Sequence, residues 1–264
     1  MAVEMCRMVA FMFDLCGQSD RAGFCRETEI RLRDNIRRSC IDFDRMIVTA
    51  FFDPDVPVSQ TAQAMAIYYD IFEEDEKPQA YARMVEEIHR QNDHLDTGVL
   101  GARVLFHVLT QFGDSDLAYR VITVQTPPSY GALIAAGNTA LTESFYIGDA
   151  DVNSRNHHFF GDISAWFIKA ICGINYNPDA DDLTRADITP HFITDLDHAE
   201  AFHVTPHGKI SVRWERTGDG EIALTVDYPA ALHGVLKFDA GWGCAACGKT
   251  ETAAASGTYC LKKI

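Results

Sequence analysis

The first two thirds of the chain place hydrophobic residues three or four positions apart, which is the spacing of amphipathic helices. Met5, Met8 and Met12 set this spacing at the start. The pattern predicts helices at residues 2–16, 27–40, 60–73, 79–92, 98–112, 115–124 and 160–173. Short turns join most of them in pairs, which is typical of helical hairpins stacked in a toroid or a solenoid. Because the sequence has no strict repeat, the repeat families are less favoured.

The pattern changes in the polar, proline-containing stretch at residues 175–182. Beyond it, hydrophobic and polar residues alternate in residues 209–214 and 221–226, which flank a Thr-Gly-Asp-Gly hairpin turn. Similar alternation returns in residues 234–238 and 258–261. The chain is therefore predicted to be mainly α with a small C-terminal antiparallel β-domain, divided into residues 1–178 and 179–264.

Composition and charge narrow the range of partners. The 264 residues are 47% hydrophobic and 23% charged, as in ordinary globular proteins. The formal net charge of −15 repels phosphate backbones and anionic lipids, so neither nucleic acid nor a membrane is expected as a partner. A neutral ligand such as a sugar meets no such repulsion.

The first sixteen residues are apolar but carry Glu4, Arg7 and Asp14, and no small-residue cleavage site follows, so a cytoplasmic location is expected. The eight cysteines are too few for a disulfide scaffold in a chain of this length. Cys244 and Cys247 form a C-x-x-C without a second ligand pair. We therefore expect no metal and no cofactor.

Residues 126–161 form a long connection rich in polar and aromatic residues, and such connections often carry function. Sugar pockets combine rings that stack on apolar sugar faces with polar groups for the hydroxyls, and glycosidic cleavage uses carboxylates. The region supplies all of these: Tyr130, Glu143, Phe145, Tyr146, Asn156, His157, His158, Phe159 and Phe160.

Each of these signals also has a structural interpretation. Glu143 could be a solvated loop carboxylate, and Asn156 a turn residue that caps the next helix. Upstream, Asp96 or Thr97 could simply be the N-cap of the helix at residues 98–112. His157 and its neighbour lack a third ligand at diagnostic spacing, so hydrogen bonding is predicted in preference to metal binding.

The order of several motifs resembles the bacterial α-L-rhamnosidases of glycoside hydrolase family 78. The motifs are HLDTGVLG (94–101), GDSDLAYRVIT (113–123), PPSYGALI (127–134), GNTALTESF (137–145) and NSRNHHFFGDISAWFIKAICGI (153–174). Further on, the G-x-I-x-V-x-W stretch at residues 208–214 and SGTY at 256–259 resemble the C-terminal domain of the family.

This resemblance implies the C-terminal half of an (α/α)6 barrel followed by a small antiparallel β-sandwich. It implies inverting hydrolysis of terminal α-L-rhamnosides, in which Glu143 is the general base that deprotonates water. It also implies that His157 contacts the substrate and that Tyr130 supplies an apolar wall. The remaining substrate-binding residues expected from the resemblance are Asn156, Phe145, Asp96 and His94.

The chain departs from the family pattern beside the base. Thr142 and Phe145 stand where the family has tryptophan, and Ser144 stands where it has arginine. The family motif that carries the general acid, D-x-P-x-R-x-E, is absent, and residues 26–29 do not match it. We therefore expect an incomplete site in a chain that begins partway round the barrel. Uncovered helix faces would then favour self-association or pairing with a missing N-terminal half.

Three functions stay open from the sequence. The first is an α-L-rhamnosidase acting on a rhamnose-containing glycoside or oligosaccharide. The second is a degenerate relative that binds carbohydrate without cleaving it. The third is a helical interaction protein in which Glu143 and His157 are merely structural. The first predicts turnover that Glu143→Gln abolishes, the second binding without turnover, and the third neither.

Overall fold

The computed structural model describes residues 1–49, 57–145, 154–178, 180–218 and 220–264. Tyr146, one of the predicted pocket aromatics, lies outside the described residues. Packing divides the chain into two compact units. The helical unit consists of Met1–Val108 and Val121–Phe160, and the β unit of Leu109–Arg120 and Gly161–Ile264. The predicted domain division at residues 178 and 179 stays a prediction.

The helices follow the hydrophobic pattern closely. They are α1 (Ala2–Leu15), α2 (Ser19–Cys40), α3 (Gln60–Tyr68), α4 (Lys77–Arg90), α5 (Val99–Gln111), α6 (Ser115–Thr123), α7 (Tyr130–Ala135) and α8 (Ile163–Trp166). A short antiparallel pair, β1 (Ile41–Asp42) and β2 (Ile47–Val48), follows α2. A 3-10 turn precedes α8 at His158–Asp162, and a π-helical turn follows it at Phe167–Ile171.

Tertiary contacts and capping move the ends of two helices from their predicted places. Helix α2 begins eight residues earlier than predicted, at Ser19, because Ala22 is buried where α1 and α2 pack together. Helix α3 ends at Tyr68 because Asp70 adopts a left-handed φ of 55°. The Ile71 N–H then bonds to the Ala66 carbonyl at 2.8 Å, which closes a Schellman-type C-cap.

The last predicted helix, at residues 160–173, is broken into the 3-10, α and π turns described above. Helix α7 lies in the region that the sequence analysis treated as a loop. Its cap is local: the Ser129 side chain accepts a hydrogen bond from the Ala132 N–H at 3.0 Å.

Helix α1 leaves a stripe of large apolar side chains exposed. Met5, Met8, Met12 and Leu15 are 61%, 57%, 60% and 72% exposed and share one helix face. The side chains of α5, by contrast, are almost entirely buried at Val104, Leu105, Phe106, Val108 and Leu109. The expected self-association, or pairing with a separate chain, stays a prediction.

The β unit contains two sheets. The strands are β3 (Ile174–Tyr176), β4 (Ala186–Ile188), β5 (His198–Thr205), β6 (Gly208–Arg216), β7 (Ile222–Asp227), β8 (Val235–Lys237), β9 (Trp242–Cys244), β10 (Glu251–Ala253) and β11 (Gly257–Lys263). One sheet has the order β5-β6-β7-β11-β9 and is entirely antiparallel. The other has the order β10-β8-β4-β3, with β4 and β8 parallel at Ile188 and Leu236.

The alternating pattern of the sequence decides which faces are buried. Along β6 and β7, every second residue is buried, and Val212, Trp214 and Leu224 are fully inaccessible. Phe192 packs edge-on against both Trp214 and Trp242, with ring centroids 5.4 and 5.5 Å apart. The predicted fold class, mainly α with an antiparallel β-domain, is confirmed; the parallel pairing of β4 with β8 is an exception to the antiparallel arrangement. None of the helices in the described ranges is long and apolar enough to cross a membrane.

Candidate active site

The segment at residues 94–96 is held in place by a glutamine of α3. Gln60 is fully buried; its Nε2 donates to the His94 carbonyl and its Oε1 accepts from the Asp96 N–H, both at 3.0 Å. Beside it, a Cβ on Gly101 would lie 2.3 Å from the Thr61 hydroxyl. The absence of a side chain at Gly101 therefore allows α5 to approach α3 closely.

Asp96, at the end of this segment, and Thr97, the residue after it, differ in their surroundings. Asp96 is exposed, and its charge helps, after the larger contribution from Glu87, to raise the pKa of Arg90. The Thr97 hydroxyl is buried and has no hydrogen-bond partner in the described residues, so Thr97 is not the side-chain cap of α5. The carbonyl of Gly98 instead accepts the first helical hydrogen bonds, from Gly101 and Ala102 at 3.1 Å.

The 94–96 segment is joined to the loop that leads into α7. His94 Nδ1 lies 2.8 Å from the Asn92 carbonyl oxygen, and His94 Nε2 lies 2.7 Å from the Thr126 hydroxyl. The Leu95 N–H donates to the Pro128 carbonyl at 3.2 Å. Both ring nitrogens of His94 therefore have partners within the protein, and its predicted contact with substrate stays a prediction.

Tyr130 and Phe145 belong to a buried aromatic cluster. They are 5% and 4% exposed, and their ring centroids are 4.9 Å apart. Phe160 packs on Phe145 with a centroid distance of 4.2 Å, and its carbonyl accepts a hydrogen bond from the Tyr130 hydroxyl at 3.0 Å. The cluster thus fixes the irregular segment that carries Glu143, two residues before Phe145. Whether its rings also touch a sugar stays a prediction.

Backbone hydrogen bonds bring the two principal predicted residues together. The Glu143 N–H donates to the Ser154 carbonyl at 2.9 Å, and the His157 N–H donates to the Leu141 carbonyl at 2.7 Å. The two segments therefore run side by side, with Glu143 on one and His157 on the other. Glu143 is half-buried, and its carboxylate makes no hydrogen bond or ion pair with any described residue.

Buried polar atoms without partners are concentrated in this region. In the described part of the chain they are Thr97 Oγ1, Ser144 Oγ and His157 Nδ1. Each lies in one of the motifs that the sequence analysis singled out. More than nine tenths of buried polar groups in proteins are paired, so three unpaired ones in these motifs make this region the candidate site.

Asn156 and His158, which flank His157 in the sequence, lie at the surface. Asn156 is exposed, and its N–H is 3.4 Å from the Ser154 hydroxyl. The His157 ring is 4.7 Å from the ring of the exposed Phe159. No group of three or more His, Cys, Asp and Glu side chains in the described residues could hold a metal ion.

Sequence reasoning missed two residues that position the site. The apolar surroundings of Gln60 in its helix were visible in the sequence, but its two hydrogen bonds join residues 34 and 36 positions apart. Ser129 is fully buried and bonds to the Thr126 carbonyl at 3.1 Å. The sequence contained a sign of this role, because a serine directly before an apolar run is typical of a helix N-cap.

Two family models match the chain. The model of the bacterial α-L-rhamnosidase six-hairpin glycosidase domain matches residues 2–171, and that of the bacterial α-L-rhamnosidase C-terminal domain matches residues 173–240.

Curated relatives with the name α-L-rhamnosidase include one from Alteromonas sp., which is 32% identical over 191 residues, or 67% of this chain and 20% of the relative. One from Formosa agariphila is 31% identical over 168 residues, or 61% of this chain and 18% of the relative. The chain thus spans about a fifth of the length of these relatives.

Solved structures of similar fold cover nearly the whole chain. The α-L-rhamnosidase from Dictyoglumus thermophilum has a TM-score of 0.82 at 22% identity, covering 98% of this chain and 30% of its own. That from Aspergillus terreus has a TM-score of 0.80 at 21% identity, with 98% and 29% coverage. The Streptomyces avermitilis α-L-rhamnosidase, solved with L-rhamnose, has a TM-score of 0.78 at 23% identity, with 98% and 26% coverage.

Proposed function

The chain belongs to the bacterial α-L-rhamnosidase family, and from this premise we propose that it serves the hydrolysis of terminal α-L-rhamnosides with inversion. In this proposal the Glu143 carboxylate is the general base. It takes a proton from a water molecule, whose oxygen attacks the anomeric carbon from the face opposite the leaving group. The glycosidic bond breaks at the same time, and the departing oxygen takes a proton from the general acid, which the family motif missing from these residues would supply.

The observation that carries this proposal is the Glu143 carboxylate, which has no hydrogen-bond partner among the described residues and lies on a segment that pairs with the segment of His157. A half-buried carboxylate costs free energy when no group stabilises it. The backbone pairing of the 141–145 and 154–157 segments holds Glu143 in place without using its side chain. Its two carboxylate oxygens therefore stay available to accept hydrogen bonds from a water molecule.

Neighbouring polar groups suit the binding of a neutral sugar. His157 Nδ1 and the Ser144 hydroxyl are buried and without described partners, so sugar hydroxyls can satisfy both. The α-L-rhamnosidase from Streptomyces avermitilis, which has the same fold, was solved with L-rhamnose. Rhamnose is therefore the ligand that we propose for this site, and a rhamnose-containing glycoside is the substrate.

A second candidate function is rhamnose binding without cleavage. An inverting glycosidase needs a second carboxyl group roughly 6.5–9.5 Å from the base. The motif that supplies this acid in the family is absent from the 264 residues. This observation favours a binding function if these residues act alone.

The test is release of nitrophenol from an aryl α-L-rhamnoside by the purified chain and by Glu143→Gln, with rhamnose titration by calorimetry alongside. If Glu143 is the base, turnover falls by about 10²–10⁴-fold in the variant. Rhamnose binding without turnover in either protein supports the second candidate. Absence of both binding and turnover overturns both candidates and leaves the helical interaction protein.

The control is Glu215→Gln. Glu215 lies on β6, where it pairs with Arg213 at 2.7 Å, and the substitution changes the net charge by the same amount. Turnover and rhamnose affinity should stay unchanged in this variant. An equal loss in both variants would show that the effect of Glu143→Gln comes from net charge and not from the site.

A further inference from the structure

Two cysteines of the β unit, Cys244 and Cys247, lie at the two ends of the turn that begins at the last residue of β9. The Cys244 carbonyl accepts hydrogen bonds from the N–H groups of Cys247 at 3.3 Å and of Gly248 at 2.7 Å. Gly248 adopts a φ of +70°, which allows the chain to leave the turn. A β-turn brings the Cα atoms of its first and fourth residues within about 7 Å. Disulfides need a Cα separation of roughly 4.4–6.8 Å, so the turn holds Cys244 and Cys247 at bridging range.

The surroundings of the two sulfur atoms favour reaction at Cys244. The neighbouring Cys247 thiol, followed by the backbone N–H groups of Ala246 and Cys247, lowers the pKa of Cys244. Cys244 is half-buried and Cys247 is exposed, so small molecules can reach the pair. Cys172 shows the opposite case, because burial raises its pKa to about 12 and leaves it an inert hydrophobic side chain.

We propose that Cys244 and Cys247 are a redox dithiol that exchanges reversibly with small-molecule disulfides. The Cys244 thiolate attacks one sulfur of the disulfide, forms a mixed disulfide and releases the first thiol after that thiolate takes a proton from water. Cys247 then loses its proton to water and attacks the Cys244 sulfur, which breaks the mixed disulfide and releases the second thiol. Two protein thiols are oxidised to one disulfide, and the small disulfide is reduced to two thiols.

A third cysteine nearby is kept out of this exchange. Cys260 lies on β11, one residue before Leu261, which pairs with Cys244 in the sheet. Its thiol donates to Glu221 Oε2 at 3.0 Å, and that carboxylate raises the pKa of Cys260. Cys260 therefore stays a thiol while Cys244 reacts. Because no group of three ligands in the described residues could hold a metal ion, a redox pair fits this turn better than a metal site does.

The test is incubation of the reduced, full chain with oxidised glutathione, followed by mass spectrometry of the intact chain and of its peptides. The wild-type chain should form a disulfide between Cys244 and Cys247 and retain no glutathione on either. Cys247→Ser should accumulate glutathione on Cys244, because the second step is lost. Cys244→Ser should lose the internal disulfide.

The matched control is Cys16→Ser, which removes an exposed cysteine at the end of α1 and should change none of these products. In Cys247→Ser, glutathione should appear on Cys244 faster than on Cys16 or Cys260. The proposal is wrong if no disulfide joins Cys244 to Cys247 in a chain whose circular dichroism is native. It is also wrong if Cys16 or Cys260 takes up glutathione faster than Cys244.

Discussion

The helical unit and the β unit differ in how they treat buried polar groups. In the β unit, the Trp214 indole donates to the Ile171 carbonyl at 2.9 Å, and the Tyr228 hydroxyl donates to the Ala186 carbonyl at 2.7 Å. In the helical unit, Thr97, Ser144 and His157 have buried polar atoms without partners in the described residues. Each such atom costs roughly 1–3 kcal/mol. The motifs of the helical unit therefore carry a cost in stability that the paired groups of the β unit avoid, and the proposed sugar ligand would remove this cost on binding.

The largest expected loss of stability comes from removing a hydrogen-bonded side chain of the β unit. Trp214→Ala deletes a fully buried ring and its hydrogen bond, so the free energy of unfolding should fall by about 3–5 kcal/mol. Urea denaturation followed by circular dichroism measures this loss. Glu143→Gln, in contrast, should leave the free energy of unfolding within about 0.5 kcal/mol of wild type, because its carboxylate has no described partner to lose. Similar losses in both variants would contradict the comparison.

The next comparison uses two buried glutamines of the helical unit, one that contacts the candidate site and one that does not. Gln60 and Gln63 are both fully buried on α3, and each bonds to backbone groups. Gln60→Leu and Gln63→Leu should each lower the free energy of unfolding by about 1–3 kcal/mol. Only Gln60→Leu should also weaken rhamnose binding, because only Gln60 holds the 94–96 segment. Equal affinities in the two variants, measured by calorimetry, would show that this segment does not belong to the site.

A smaller change in stability is expected when a paired threonine of the β unit and an unpaired threonine of the helical unit are each replaced by valine. Thr205 Oγ1 donates to the Gly208 carbonyl at 2.9 Å and accepts from the His207 N–H at 3.0 Å, whereas Thr97 Oγ1 has no described partner. Thr205→Val should lower the free energy of unfolding by about 1–2 kcal/mol. Thr97→Val should leave it unchanged or raise it by about 1 kcal/mol, because it removes an unsatisfied hydroxyl. The urea midpoints of the two variants should therefore move in different directions.

The smallest expected loss of stability concerns an ion pair of the helical unit outside the site. It tests whether charged groups there are paired, as the polar groups of the β unit are. Arg37 makes two hydrogen bonds to the Glu76 carboxylate, at 2.7 and 2.8 Å, and this pair lowers the pKa of Glu76. A lowered carboxyl pKa stabilises the fold above the ordinary glutamate value of about 4.3, and the contribution is lost as the pH falls through the lowered pKa. Glu76→Gln should therefore cost about 1 kcal/mol at pH 7.

The pH dependence supplies the control for this variant. The difference in urea midpoint between wild type and Glu76→Gln should shrink steadily once the pH falls below about 4, since Glu76 is then becoming protonated in the wild type as well. A difference that stays constant with pH would mean that Glu76 acts through packing and not through its charge.

Sequence patterns were sufficient to predict the features that depend on residues close together in the chain. Helical spacing placed most helices to within a few residues, and the Thr-Gly-Asp-Gly turn placed β6 and β7. The motif order indicated the family and brought Glu143 and His157 forward as candidates. These features are local because a helix face, a hairpin turn or a motif is complete within about twenty residues, so periodicity and residue type carry the information.

Contacts between residues that are distant in the sequence follow from the packing of the folded chain. The early start of α2 depends on the burial of Ala22 where α1 and α2 pack together, and the parallel pairing of β4 with β8 joins residues 48 positions apart. Gln60 holds the 94–96 segment through backbone groups that no motif identifies. The pairing of the Glu143 and His157 segments, and the unpaired atoms around them, likewise could not be identified from a sequence motif. Burial and hydrogen-bond satisfaction are properties of the packed chain, and no local pattern of residues encodes them.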